Sequence, residues 1–442
     1  MGYGRDRGWR SRSSRRRKDR TYSRRKSGGR CTCGEPKRGR SGSASSDRRS
    51  SSRSSSDSSS RSKGSGPMSS SGTGGDPIVH FDWVKGMALG ESGRYIVLRQ
   101  LGEGTFGRVL ECQHRYLRTP VAVKVIRDVD RYRENAKVEC RILKKIQEIR
   151  RLSLDKRGSR GIVRFYEDFM HAHRFYCLSF ERLGKTLYEV ITMNNHRGFF
   201  MYDIQQIAKE FIETLAFLHD ECGLIHTDIK MENIMLCGSE WFECRPPPRI
   251  SSDRKYYRPV LVSDMCDGRH RSIRIIDFGN GVFRGDHHST TINTRQYRAP
   301  EVILEQGWDQ KSDMWSAGCA IAEMFTGELL FATHENMEHL AMIERITGQR
   351  FDGDFFSFSP PNLRNTYSSS DGLNWPVGCT SSESFRRVND CLYLEDMFKP
   401  SEHRLLGELL TKLLRIDARC RYSASKALRN CKFFSTHIPC NT

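Results

Sequence analysis

Absences narrow this 442-residue chain first. No stretch approaches the roughly 18 consecutive apolar residues of a membrane-crossing helix. Hydrophobic residues make up only 37% of the chain. No integral membrane protein, and no membrane partner, is expected. The opening Met1-Gly2-Tyr3-Gly4-Arg5-Asp6 has no apolar core for a signal peptide. Asp6 stands where a myristoylation signal wants Ser or Thr, and the last four residues are not a prenylation box. Neither secretion nor lipid anchoring is expected. The 15 cysteines form no C-x-x-C pair, and only Cys31 and Cys33 lie close together. That suits neither a disulfide scaffold nor a structural zinc site, and points to reduced thiols in the cytosol or nucleus. No internal repeat is visible. Acidic residues are scarce in one place: residues 1–75 hold 5 Asp+Glu against 21 Lys+Arg. That segment carries +16 of the formal +20, so the remaining chain is close to neutral.

What the basic segment does contain is serine, 23 of its 75 residues, repeatedly beside arginine. Arg10-Ser11-Arg12-Ser13 and Ser60-Arg61-Ser62 are examples. With so little apolar surface to bury, residues 1–75 are expected to be disordered. They read either as a solubilising tail or as a tail for RNA or a protein partner. Each phosphoserine adds about −1.5 to −2 charges, so roughly eight to eleven would cancel the +16. Residues 76–94 read as a linker.

Ordered structure is expected from about His80. Tyr95–Leu101, Arg108–Cys112 and Val121–Ile126 read as strands, and Arg133–Arg150 as a helix. Val163–Phe169 and Phe175–Phe180 read as two more strands. Then helices dominate, the clearest over Asp203–His219, where Ile204, Ile207, Phe211, Leu215 and Leu218 recur at helical spacing. The fold class is α+β: a small sheet-rich lobe over 95–183, then a larger helical lobe over 184–436, with 437–442 as a short tail.

The chemistry-bearing residues come in a fixed order. Gly102-Glu103-Gly104-Thr105-Phe106-Gly107-Arg108-Val109 fits G-x-G-x-x-G-x-V. Glycines allow backbone amides to approach phosphate oxygens. A dinucleotide fold uses the same spacing but opens a helix there, whereas here strand-like sequence follows. That is the flap that covers ATP in kinases. Lys124 ends Val121-Ala122-Val123-Lys124, either as a phosphate-gripping lysine or as a strand-end lysine reaching solvent. Glu139 falls on the apolar face of its helix with Ala136, Ile142, Leu143 and Ile146. An unpaired charge there is costly, so Lys124 is its expected partner unless Glu139 is an ordinary surface residue. His226-Thr227-Asp228-Ile229-Lys230-Met231-Glu232-Asn233 matches H-R-D-L-x-x-x-N, with Thr227 for Arg. Asp228 would orient the attacking hydroxyl and accept its proton. Lys230 would neutralise the moving phosphoryl group. Asn233 and Asp277, the latter in Asp277-Phe278-Gly279, would hold Mg²⁺ against the ATP phosphates. Ala299-Pro300-Glu301 closes the segment.

Over roughly residues 95–436 the chain resembles eukaryotic protein kinases, and within them the LAMMER, or CDC-like kinase (CLK), family. Three features carry this. They are Glu338-His339-Leu340-Ala341-Met342-Ile343-Glu344-Arg345-Ile346, the Thr in His226-Thr227-Asp228, and His287-His288-Ser289-Thr290 followed by Thr294-Arg295-Gln296-Tyr297-Arg298. Ile343 and Met231 depart from the usual Met and Pro. The resemblance implies a two-lobed kinase fold with ATP and Mg²⁺ as cofactors. It implies Leu101, Gly102, Gly104, Gly107, Val109, Ala122, Phe180, Glu181, Leu183 and Met235 around the nucleotide, with Phe180 at the back and Glu181–Leu183 as the hinge. Thr294 joins the catalytic set on the same basis. Asp313 would anchor the catalytic loop, and Glu301 would pair with Arg421.

The resemblance further implies phosphorylation of Ser/Thr in Arg/Ser-rich splicing factors, with tyrosine in autophosphorylation, and so control of pre-mRNA splicing. Glu232 either reads a substrate arginine or is a loop residue without specificity. Thr227 cannot pair with a phosphate as Arg would, so activity is expected without activation-segment phosphorylation. The 49 residues from Asp228 to Asp277 leave an excess at about 238–272. It reads as a surface excursion or a substrate-docking insertion. Basic clusters such as Arg15-Arg16-Arg17-Lys18 and the family together suggest the nucleus, shared with the cytoplasm as the alternative. A monomer is expected. The rival class is a pseudokinase-like scaffold carrying an RNA- or partner-binding tail. It conflicts with the presence of Lys124, Asp228 and Asp277. SR-protein kinases and dual-specificity Tyr-regulated kinases are nearer rivals, and Glu338–Ile346 argues against both. Residues 353–395 suggest no function.

Overall fold

The computed structural model describes residues 81–153, 158–250, 254–261, 272–287 and 289–440. The expectations about the tail at 1–75 lie outside the described residues. Six strands form an antiparallel sheet in the order β1-β2-β3-β4-β6-β5. They are β1 Ala88–Leu89, β2 Tyr95–Gly104, β3 Gly107–His114, β4 Pro120–Ile126, β5 Phe165–His171 and β6 Phe175–Glu181. β4 is central and almost continuously apolar, which is why Val121, Ala122, Val123, Val125 and Ile126 are all buried. Helix α1, Asp130–Leu152, lies against β4, β5 and β6. Asp130 in its first turn and Arg150 and Arg151 in its last complement the helix dipole.

Part of the expected linker belongs to this lobe instead. Phe81 is buried, Trp83 donates from Nε1 to Gln100 Oε1 at 3.0 Å, and β1 pairs with β2. A two-residue strand is too short to announce itself by alternation; its burial comes from the tertiary sheet.

The helical lobe starts with α2, Leu187–Met193, fastened by a capping box between Thr186 and Glu189. Helix α3, Met201–Ala216, buries the apolar stripe read from the sequence. It runs on into a wider turn over Phe217–Glu221. Its neighbour Lys311–Thr326 is buried on nearly every side. That helix stops at Gly327, whose φ is +87° and where a Cβ would lie 2.0 Å from the His196 carbonyl oxygen. Both the turn and the close approach require glycine.

The extra segment is more than an excursion where it is described. Trp241–Cys244 and Tyr256–Pro259 pair as an antiparallel hairpin. Arg258 forks onto the buried Asp203 of α3 at 2.8 and 2.7 Å. Residues 353–395 form short helices and a small strand pair; of the helices, Ser382–Asp390 and Leu394–Met397 pack on Asn336–Thr347, which carries the family signature. There Glu338, with a fully buried side chain, pairs with Arg387 at 2.5 Å. Burial works against the Glu338 charge, but hydrogen bonds from Arg387, Ser384 and Thr333 together with the Arg387 charge outweigh it and hold the carboxyl below its ordinary value. Among the described residues no helix is long and apolar enough to cross a membrane. Cys112, Cys177 and Cys319 are buried free thiols, and burial pushes the Cys112 thiol up to about 12.

Candidate active site

The strand register places the nucleotide end of the site. Val109 on β3 lies opposite Lys124 on β4, and Ala122 lies opposite Phe180 on β6. Phe180 and Ala122 are buried, and Leu183 follows them in the core. Met235 pairs with Arg274 and bridges Thr186, which brings it up from the helical lobe. Glu181 is fastened twice. Its N–H donates to the Arg164 carbonyl at 2.9 Å, and its Oε1 accepts from Arg164 N and Arg274 Nε at 2.7 and 2.9 Å. The connection between lobes is thereby held at one residue.

The three glycines do different work. A Cβ on Gly102 or Gly104 would meet nothing within 4 Å. These two leave open backbone above the cleft, next to half-exposed Leu101. Gly107 is different, because a Cβ there would sit 2.0 Å from the Val125 carbonyl oxygen. Its role is the close approach of β3 to β4, and the sequence motif does not separate the two roles.

Lys124 reaches the other lobe. Its Nζ lies 2.8 Å from Glu139 Oε2 and 3.4 Å from Asp277 Oδ1. Burial opposes the ammonium charge, but the two carboxylates outweigh it and hold Lys124 above its ordinary value. For Glu139 burial is the larger influence and pushes the carboxyl up, against the pull of Lys124. The pair is the one anticipated from the helix phase of Glu139.

The catalytic loop hangs from a buried carboxylate. Asp313, fully buried in the helix Lys311–Thr326, accepts the His226 N–H at 2.7 Å and the Thr227 N–H at 2.9 Å. His219 Nε2 is 2.9 Å from the same carboxyl. Burial works against the Asp313 charge, yet these donors prevail and its pKa falls. They hold Thr227 at φ +67°, a costly conformation for a β-branched residue. His226 packs on the Phe278 ring at 5.0 Å and its Nε2 lies 3.0 Å from the Ile276 carbonyl oxygen. Asp277, at φ +63°, turns out of that chain.

Asp228, Lys230 and Thr294 form one hydrogen-bonded cluster. Lys230 Nζ contacts Asp228 Oδ2 at 2.8 Å and donates to Thr294 Oγ1 at 3.0 Å. Thr294 donates to Asp228 Oδ1 at 2.7 Å. Burial alone would raise the Asp228 pKa; the Lys230 and Thr294 bonds reverse this and lower it. A carboxylate so held is ionised and oriented, as a proton acceptor for a hydroxyl must be. Asn233 Nδ2 donates to the Asp228 carbonyl at 2.8 Å, leaving the amide oxygen as a donor atom for a cation. The Ile276 N–H donates to the Asn233 carbonyl at 3.0 Å, which sets Asp277 beside Asn233. An amide and a carboxylate oxygen suit a hard divalent cation. Away from the cleft, Arg421 forks onto Glu301 at 2.6 and 2.8 Å, both buried.

Three contributors had no signal in the motifs. Asn293 ties the segment before Thr294 to the catalytic loop, and through Ser316 to the helix Lys311–Thr326. Glu323, ten residues after Asp313 on the same buried helix, accepts the Tyr297 hydroxyl. Only the fold brings these near the reacting centre.

A paired lysine and glutamate, a carboxylate set for a hydroxyl proton, and an amide–carboxylate cation site define a phosphoryl-transfer enzyme. The Protein kinase domain family matches residues 95–434, and the chain belongs to that family. Within it the chain belongs to the LAMMER, or CDC-like, branch. It is 37% identical to the serine/threonine-protein kinase AFC2 of Arabidopsis thaliana, over 76% of each chain. It is also 37% identical to the dual specificity protein kinase CLK2 of Mus musculus, over 76% of this chain and 63% of that one. A crystal structure of a kinase domain shares 40% identity and a TM-score of 0.71, covering 80% of this chain and 99% of the other. The protein is a protein kinase. Its domain class uses ATP and a divalent metal, which supply the transferred phosphoryl group and the charge that neutralises it.

Proposed function

We propose that this kinase transfers phosphate from Mg-ATP to serine and threonine hydroxyls of Arg/Ser-rich proteins in the nucleus, splicing factors among them. Asp228 takes the hydroxyl proton and Lys230 neutralises charge beside it. Asn233 and Asp277 hold Mg²⁺, and Lys124, braced by Glu139, aligns the phosphates. Catalysis is mainly positioning and electrostatics. The geometry also favours an active segment without phosphate, since Thr227 engages it through neutral hydrogen bonds.

The substrate class rests on Glu232. One of its carboxylate oxygens, Oε2, is buried without a hydrogen-bond partner, next to the metal-holding Asn233. Glu323 lies close enough for the Glu232 charge to add to the rise of its carboxyl. An arriving guanidinium would satisfy the orphaned oxygen with a charge-assisted bond. Glu181 and Glu139, by contrast, are already paired.

The proposal extends to further properties. Tyrosine transfer follows the dual-specificity naming of CLK2. The basic tail suits RNA contact, nuclear entry and self-phosphorylation, with the kinase acting as a monomer. A non-catalytic scaffold is disfavoured by the intact Lys124–Glu139–Asp277 and Asp228–Lys230–Thr294 sets.

The deciding assay compares phosphate transfer to an Arg/Ser peptide and to the same peptide with arginines replaced by alanine. Preference for the first, lost in Glu232→Gln while transfer to the second persists, is expected. Equal transfer to both peptides by the wild type removes the arginine-reading role. No transfer to either, with Asp228→Asn equally silent, returns the tail-bearing scaffold.

A further inference from the structure

Thr294 can hold Asp228 only if the chain before it is fixed. The residue that fixes it is Asn293. Its backbone N–H donates to the Thr227 carbonyl at 3.0 Å, and its side-chain Nδ2 donates to the same oxygen at 2.9 Å. Nδ2 also lies 3.3 Å from Ser316 Oγ, which itself donates to the Tyr297 carbonyl at 2.7 Å. Arg298 closes the turn from the other side, donating to the carbonyls of Ile292 and Asn293, each at 3.0 Å.

The acceptor is as constrained as the donor. Thr227 gives its N–H to Asp313 at 2.9 Å and its hydroxyl to the Asn280 carbonyl at 2.7 Å. Its carbonyl is left for Asn293. One residue of the catalytic loop thus gathers the buried helix, the turn after Asp277 and the segment before Thr294. Asn293 sits at φ +62°, a left-handed conformation that Asn tolerates better than most residues and that a β-branched residue would resist.

We propose that Asn293 is a positioning residue for phosphoryl transfer: its side-chain amide locks the activation segment to the Thr227 carbonyl and thereby sets Thr294 against Asp228. A neutral amide on a backbone carbonyl here does the work that an arginine–phosphate pair would otherwise do. The link is permanent, because an amide needs no enzyme to install it.

The test uses the full chain and two variants. Asn293→Gly keeps the left-handed backbone and its N–H bond but removes the side-chain donor. Asn293→Asp keeps the shape and points a carboxylate at the carbonyl. The expected result is a kcat at least tenfold lower in both, with the KM for ATP within twofold of wild type and an unchanged melting temperature. Thr294→Val is expected to show the same split, a lower kcat at an unchanged KM for ATP and an unchanged melting temperature, because it removes the same bond to Asp228. Phosphatase treatment of the wild type is expected to leave kcat unchanged. Unchanged kcat in Asn293→Asp overturns the proposal. So does a loss that tracks the melting temperature and raises the KM for ATP in step with it, which marks a merely structural residue. The readout is transfer to any accepted serine peptide, so the result stands apart from arginine preference.

Discussion

Lys124 touches two carboxylates, Glu139 at 2.8 Å and Asp277 at 3.4 Å, from opposite lobes. Removing one partner of a buried pair costs about 3–5 kcal/mol when it leaves the other charge uncompensated, and less here because Asp277 still faces Lys124. Glu139→Gln is therefore expected to lower both kcat and the melting temperature. Asp228→Asn is the contrasting case. It preserves shape but removes the proton acceptor and one of the two oxygens that accept from Lys230 and Thr294, so kcat should fall about 10²–10⁴-fold with a smaller change in melting temperature than in Glu139→Gln. Steady-state kinetics beside calorimetry separates the two. Glu323 offers a pH signature of its own. Burial is the main cause that carries its carboxyl to about 7, the Glu232 charge adds to it, and the Tyr297 hydroxyl opposes it. The folded state thus binds a proton that the unfolded state, titrating near about 4.3, has lost. This contribution to stability is complete below the unfolded value and disappears as pH rises through about 7. Between pH 6 and 8 the loss should be about 1 kcal/mol, and urea midpoints of Glu323→Gln should lack it.

At the scale of elements, the glycine flap separates packing from binding. Gly107→Ala drives a Cβ into the β4 backbone, 2.0 Å from the Val125 oxygen. Overpacking of this kind costs about 1–3 kcal/mol. Gly104→Ala has open space, so its melting temperature should hold while the KM for ATP rises. Differential scanning fluorimetry with and without nucleotide checks both. Glycine spacing in the sequence cannot make this distinction, because the opposing β4 backbone comes from residues 18 positions downstream. The helix α1 was legible for the opposite reason: its buried stripe and Glu139 share one helical face, and periodicity reports that directly. The pairing of Trp241–Cys244 with Tyr256–Pro259 was not legible. Its anchor is an arginine, Arg258, which meets Asp203 55 residues earlier in the chain. Residues 353–395 were silent for a like reason, since they are held by the pair Glu338–Arg387 across 49 residues.

For the whole molecule, the two lobes meet around a catalytic loop braced without charge from a phosphate. Dephosphorylated protein is therefore expected to retain full kcat toward an exogenous peptide. Activity that vanished with phosphatase and returned on rephosphorylation would contradict this. The order of glycine loop, Lys124, Glu139, Asp228, Asn233 and Asp277 along the chain was enough to name the reaction class. Each residue does a separate chemical task, and no other common arrangement uses them in that sequence. The signature around Glu338–Ile346 was enough for the branch. The sequence alone also determined the apolar stripes of α1 and α3, because each is a local period of one element. The tertiary structure decided the rest: that Gly107 serves packing, that residues 81–94 belong to the first lobe, and that the Glu232 charge reaches Glu323. It also decided that Asn293 reaches Thr227 across 66 residues. These depend on distant backbones being brought within a few ångströms, and no local pattern of residue types encodes such a distance.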